Sequence, residues 1–191
     1  MRGGSGASVP HLAPPALDFH ASFLGVLREY HSEGRHAELD EALLTGPAEF
    51  TRYAGALRAD VAEPGASVRY VAALRGDLPA SWPDGYVPQT QLWWVRGTEY
   101  LGRLTIRHDL TPHLLFEGGN IGFDVRPGAR RRGHATAMLA AALPLAAAFG
   151  VDPVRIDCLA GNVASRRVIE TNGGVLDGER DGNLYFWVPA T

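Results

Sequence analysis

The stretch IGFDVRPGARRRGHAT, Ile121 to Thr136, decides the fold. Ile121 to Val125 is a short run rich in apolar and β-branched residues and reads as a strand. The chain then turns at Arg126-Pro127-Gly128, where proline fixes φ and glycine permits positive φ. Arg130-Arg131-Arg132-Gly133-His134-Ala135 leads into an alanine- and leucine-rich segment, Gly133 to Phe149, that reads as a helix. A strand, a small-residue turn and a helix start direct several main-chain N–H groups at one point. The positive end of the helix dipole lies behind them, and that arrangement suits a phosphate or pyrophosphate.

A second block lies about thirty residues on: Asn162-x-x-Ser165, then Val168-Ile169-Glu170 and Asn172-Gly173-Gly174. Together, Arg130-x-x-Gly133-x-Ala135 after a strand and this second block resemble the acyl-CoA motifs of the GNAT N-acetyltransferase superfamily. The likeness is strongest over Gly118 to Gly174 and extends from about Val87 to Tyr185. Val87-Pro88-x-Thr90, Trp93-Trp94 and Ile106-Arg107-His108 are similar to a bacterial subgroup of predicted acetyltransferases. The resemblance implies an α/β fold: a GNAT-like mixed, mostly antiparallel central sheet flanked by helices on both faces.

Composition agrees with one enzyme-sized domain. The 191 residues can bury a real core, and a net charge of −3 gives no field favouring nucleic acid or an acidic membrane. Every basic residue is arginine, so a Walker-type loop, which needs Gly-Lys-Ser/Thr, is excluded. One cysteine, Cys158, allows no internal disulfide and no zinc cluster. Residues 1–15 are Gly/Ser/Pro-rich without the apolar core of a signal peptide, and are expected to be mobile, leaving 16–191 as the domain. Ala135 to Val151 is apolar but interrupted by Pro144 and short of a span. The expected location is cytoplasmic, with no membrane partner.

Read in order, Asp18 is a candidate N-cap for a helix through Tyr30, with Phe19, Phe23, Val26 and Leu27 on one stripe. Gly34 ends it, Glu38 to Leu44 reads as a further helical piece, and Pro47 opens a helix running to Pro64-Gly65. Val68 to Leu74 reads as a strand. Leu78 to Pro88, with Trp82 and Tyr86, reads as a structured loop. Gln91 to Arg96 and Tyr100 to His108 form a hairpin across Gly97-Thr98-Glu99. Asp109 to Gly119 is a longer loop or a ragged strand start. Pro144 is expected to kink the long helix, at a cost of about 3 kcal/mol. Val154 to Cys158 is a strand and Asn162 to Thr171 a helix. Val175-Leu176 and Leu184 to Val188 close as a hairpin around Asp181-Gly182. Trp93-Trp94 exposed on an edge would favour a homodimer over a monomer.

For the site, the resemblance implies acetyl-CoA as cofactor and no metal. The amides of Arg130, Arg131, Arg132, Gly133, His134, Ala135 and Thr136 would hold its pyrophosphate. Phe123, Asp124 and Val125 would pair with the pantetheine arm, and the Val125 N–H would polarise the thioester carbonyl. Asn162 and Ser165 would face the same groove. Each has a plain alternative: the arginine run is a solvated cluster, the strand is only core, and Asn162 is only a helix cap. The acceptor would be an amine-bearing small molecule or peptide, walled by the helices before the central strands. Glu117 is the candidate general base, with a solvated loop carboxylate as the alternative. His108, His113, Asp124 and Asp157 are weaker candidates. Ile169 stands where many members carry a tyrosine acid, so the proton donor to the leaving thiolate is open. Trp82, Tyr86 and His108 are candidates for the acceptor pocket. The alternative to an enzyme is an acyl-CoA-binding sensor of the same fold.

Overall fold

The computed structural model describes residues 8–77 and 85–191. Seven strands and five α-helices follow in the order β1 (His11–Ala13), α1 (His20–Ser32), α2 (Pro47–Ala59), α3 (Ala66–Arg75), β2 (Gln89–Arg96), β3 (Glu99–Arg107), β4 (Ile121–Val125), α4 (His134–Ala148), β5 (Val154–Leu159), α5 (Val163–Thr171), β6 (Val175–Arg180) and β7 (Asn183–Val188). All strand pairs are antiparallel. They form a four-stranded sheet, β1-β2-β3-β4, and a three-stranded sheet, β5-β7-β6. The fold is thus mixed α/β, as expected, with its sheet divided in two between β4 and β5.

Strand alternation assigns one set of side chains to each face. On one face Trp94, Leu104, Ile106, Ile121 and Val125 pack with Met138 and Leu139 of α4, Ile156 and Phe186. On the other, Trp93, Val95 and Tyr100 pack with Phe23 and Leu27 of α1 and Phe50 and Tyr53 of α2. Pro47 does begin α2, and the Asn162 side chain accepts from the Ser165 N–H to cap α5. No helix among the described residues is long and apolar enough to cross a membrane.

Several expectations are corrected. Val68 to Leu74 is helical, within α3, because Gly65 takes a left-handed turn at its start and the buried Asp60 carboxylate accepts from Ser67 N and Oγ. That local cap outweighs the β-branched residues. Asp18 caps nothing: it lies in a single 3-10 turn, Leu17–Phe19, and α1 starts after it. His11–Ala13, placed in the mobile stretch, pairs with Trp93 to Val95. The same strand covers the edge of β2, and the cores on the two faces bury Trp93 and Trp94 to 0% and 4% exposed, so they offer no dimer surface. Helix α4 does run through Pro144, as expected; the proline sits on its exposed side, where a released carbonyl can turn to water. Of the Leu78 to Pro88 loop, residues 78–84, Trp82 among them, lie outside the described residues.

Candidate active site

Strands β4 and β5 touch at one end and part at the other. The Asn120 N–H donates to Arg155 O at 2.7 Å and the Arg155 N–H to Asn120 Oδ1 at 2.8 Å. No ladder continues between the two strands. The Arg126 N–H to Leu101 O bond fixes the phase of the β3–β4 ladder. In an antiparallel pair, hydrogen-bonded and non-bonded residues alternate. Residues 122 and 124 therefore spend their main-chain groups on β3, whereas Phe123 and Val125 turn theirs outward, along the free edge. Gly102, opposite Val125, makes this close fit possible: a Cβ there would fall 2.3 Å from Asp124 O.

The loop after β4 is clamped by α1. Arg126 pairs with Glu29, which also accepts the Gly128 N–H at 2.9 Å. The hydrogen bond from Arg126 chiefly holds the Glu29 carboxyl below its usual range, against a smaller opposing effect of burial. Arg130 forks onto Glu33, both distances 2.8 Å, and its Nε donates to Val125 O at 3.1 Å. Its own N–H closes a turn onto Pro127 O. Arg130 thus acts as a strut of the loop, with neither its amide nor its guanidinium left over. Beyond it the chain passes through positive φ at Arg131 (62°) and at Gly133 (79°) before α4 begins. Among the described residues, the N–H groups from Arg131 to Thr136 meet no acceptor. Successive unpaired amides at a helix start form an anion-binding concavity. Arg131 and Arg132 are exposed and carry no ion pair among the described residues. His134 accepts from Trp94 Nε1 at 3.2 Å, and burial, then Arg96 and Arg132, lower its pKa, so it sits neutral at the positive helix end.

The opposite face of β4 carries Gly122 and Asp124 beside Thr105 and Arg103 of β3 and Gln91 and Trp93 of β2. Space is open above Gly122, where a Cβ would meet nothing within 4 Å. Asp124 is bound by Arg35 (3.0 and 3.2 Å) and by His36 Nε2 (2.8 Å). Burial pushes its carboxyl up, but these partners and Arg103 leave it below the usual range. Such a carboxylate is an anchor, ill suited to take a proton. Arg103 in turn donates to His36 Nδ1 at 2.9 Å. His36 holds this bridging place at positive φ (56°), rare outside glycine. Nothing in the sequence pattern marks Arg35, His36 or Arg103, which lie far from β4 along the chain.

The remaining candidates fall as follows. Glu117 closes a turn over β5, with its side chain 77% exposed and His113 at 3.9 Å. Asp157, on β5, accepts from the Gly118 N–H at 2.8 Å, and burial raises its carboxyl above the usual range. Asn162 Oδ1 is used by the Ser165 N–H (3.1 Å), which leaves its NH2 group for another partner. Ile169 is buried in the core, and Tyr185 Oη donates to Phe116 O. Burial raises the Cys158 thiol. His108 stacks on Phe149 at the end of α4, away from the Arg103–Asp124 face, and Tyr86 packs on Gly65.

A GNAT acetyltransferase domain model matches residues 26–175. The chain belongs to the GNAT acetyltransferase family. Among solved structures, RimJ of Mycobacterium smegmatis, in complex with CoA-disulfide, is similar at a TM-score of 0.60 and 20% identity over 96% of this chain and 83% of its own. The microcin C7 self-immunity acetyltransferase MccE, in complex with acetyl-CoA and AMP, gives 0.58 and 13% over 93% and 91%. RimL, a ribosomal L7/L12 α-N-protein acetyltransferase in complex with coenzyme A, gives 0.54 and 14% over 96% and 93%. At these identities the acetyltransferase shares their fold. No curated protein matches it.

Proposed function

We propose that this acetyltransferase uses acetyl-CoA and moves the acetyl group to a primary amine in a ternary complex. One observation carries the reading: the unclaimed N–H groups from Arg131 to Thr136, at the start of α4 and beside the free edge of β4. These residues fit coenzyme A. The amides of Arg131, Arg132, Gly133, His134, Ala135 and Thr136 would hold the diphosphate, with the Thr136 hydroxyl as a further donor and Arg131 and Arg132 supplying charge. Main-chain groups of Phe123 and Val125 would pair with the pantetheine arm. Asp124 contributes by fixing the strand, and Asn162 by its free NH2, with Ser165 one turn on.

When bound, acetyl-CoA supplies a thioester, an acetyl group already activated for transfer to nitrogen. The Val125 N–H, on the free edge, is placed to donate to an oxygen that gathers negative charge, an effect worth several kcal/mol. Glu117, exposed beside His113, would take the amine's proton directly or through water. Asp157 is a second reading for this role, favoured by the burial that raises its carboxyl. The test is thiol release from acetyl-CoA over amino acids, polyamines, amino sugars and peptides. Turnover on one class is expected. Tight coenzyme A binding with no release on any class would overturn the enzyme and leave a sensor.

A further inference from the structure

Beside the Arg103–Asp124 face lies a cavity of about 340 Å³, separate from the loop that would hold coenzyme A. Helices α2 and α3 give it apolar walls, Leu57, Val68 and Val71 among them; Glu38 comes from the α1–α2 connection. The sheet contributes Arg103 and Gln91. Arg103 is a guanidinium with five donors, and its one hydrogen-bond partner among the described residues is the His36 ring. No carboxylate reaches it within 4 Å among those residues; desolvation of its site works against its charge, and the nearby Asp124 carboxylate works for it. Gln91, 7% exposed, makes no side-chain hydrogen bond among them either. Neither group is sealed from solvent: the buried side-chain atoms without a partner among the described residues are Tyr30 Oη, Trp93 Nε1 and Arg155 Nε, so the spare donors of Arg103 and Gln91 open into the cavity. A planar guanidinium flanked by an amide, under apolar walls, matches a carboxylate on an apolar body.

We infer that the acceptor is a small amino-carboxylate with an apolar side chain, its carboxylate held by Arg103 and Gln91. The apolar part fills the space between α2 and α3. Gln91, Thr105 and Gly122 lie in one row across β2, β3 and β4, and the open ground above Gly122 leads the amine from Gln91 and Arg103 across the sheet to the free edge of β4. The direction of the amine rests on the acetyl-transfer reading; the carboxylate subsite does not.

The experiment pairs leucine with isoamylamine and phenylalanine with phenethylamine, each pair differing only in the carboxylate. Binding to the protein alone is measured by calorimetry, and thiol release is measured with acetyl-CoA. The carboxylated member should bind at least about tenfold more tightly, equivalent to one charge-assisted contact. Arg103→Met should shrink that gap to within about twofold, and coenzyme A affinity should not move. Because Arg103→Met also loses the His36 contact, Gln91→Leu is the companion variant, expected to lower affinity for the carboxylated member alone. Equal binding of both members by the wild type, or a loss in Gln91→Leu that is the same for both, would overturn the inference. A carboxylate preference in binding with no thiol release on any amine would uphold the subsite and sink the transfer reading instead. Turnover without preference would do the reverse.

Discussion

Replacing Gly133 by aspartate tests the anion site with the least damage to the fold. Gly133 has φ of 79°, and a Cβ there would meet nothing within 4 Å. The cost of any side chain is therefore backbone strain alone, about 1–2 kcal/mol for a non-glycine residue in the left-handed region. For a chain of this size that lowers Tm by about 3–6 °C and leaves it folded. Alanine measures that strain by itself. Aspartate adds a negative charge among the amides from Arg131 to Thr136 and can cap some of them. Taking two charges on a diphosphate about 6 Å away and an effective dielectric of about 40, the repulsion is about 3 kcal/mol. Coenzyme A should then bind about a hundredfold more weakly to Gly133→Asp than to Gly133→Ala. Titration calorimetry with coenzyme A at fixed salt reads the difference. Equal affinities for the two variants would refute the reasoning, because strain would then account for the whole effect and the amides would hold no anion.

Other perturbations address the other half of the cleft. Gly122→Ala should be close to neutral, whereas Gly122→Leu fills the open ground above β4; acceptor KM should rise about tenfold or more with coenzyme A affinity unchanged, and a parallel loss of both would mean the strand itself had shifted. Glu117→Gln should flatten the rise of kcat/KM with pH, while Asp157→Asn leaves the profile intact; a wild-type profile in Glu117→Gln would hand the role to Asp157. The depressed Asp124 carboxyl contributes stability above the unfolded aspartate pKa of about 4 and loses it as pH falls through the lower folded value. Asp124→Asn should therefore lower Tm by about 3–6 °C at neutral pH and by less in acid, corresponding to about 1–2 kcal/mol. A Tm loss that does not shrink below about pH 4 would show that Asp124 packs rather than pairs.

Local signals were legible and long-range ones were not. Ile121 to Val125, the turn at Pro127 and the helix start after Gly133 all follow from residues adjacent in the chain, and each lies where its chemistry predicts. Asn162 declares its cap by the same means. Val68 to Leu74 misleads because its β-branched residues are visible while the Asp60 carboxylate that secures the helix start is an unremarkable residue of the preceding turn. Trp93-Trp94 reads as an exposed edge because three residues of a Gly/Pro-rich leader, His11–Ala13, cover it. The Asp124–His36–Arg103 chain joins residues separated by 88 and 67 positions. An isolated histidine and two ordinary arginines carry no spacing, so only the folded register brings them to one face.

That register lets so short a strand present two different surfaces. Side chains at 121, 123 and 125 enter the α4 core while the main-chain groups of Phe123 and Val125 lie on the free edge. Side chains at 122 and 124 face the other way, toward Arg103 and the open ground. Period-two alternation thus separates outward-facing main-chain donors from the side-chain surface of the opposite face within five residues, and on the proposed reading each would serve one substrate. A slip of one residue would exchange the two sets, sending Asp124 into the apolar core and Val125 onto the Arg103 face. Desolvating an unpaired carboxylate costs several kcal/mol, so the slipped pairing is strongly disfavoured. The anchoring of Asp124 by Arg35 and His36 therefore helps to fix which amides, those of Phe123 and Val125, face the free edge.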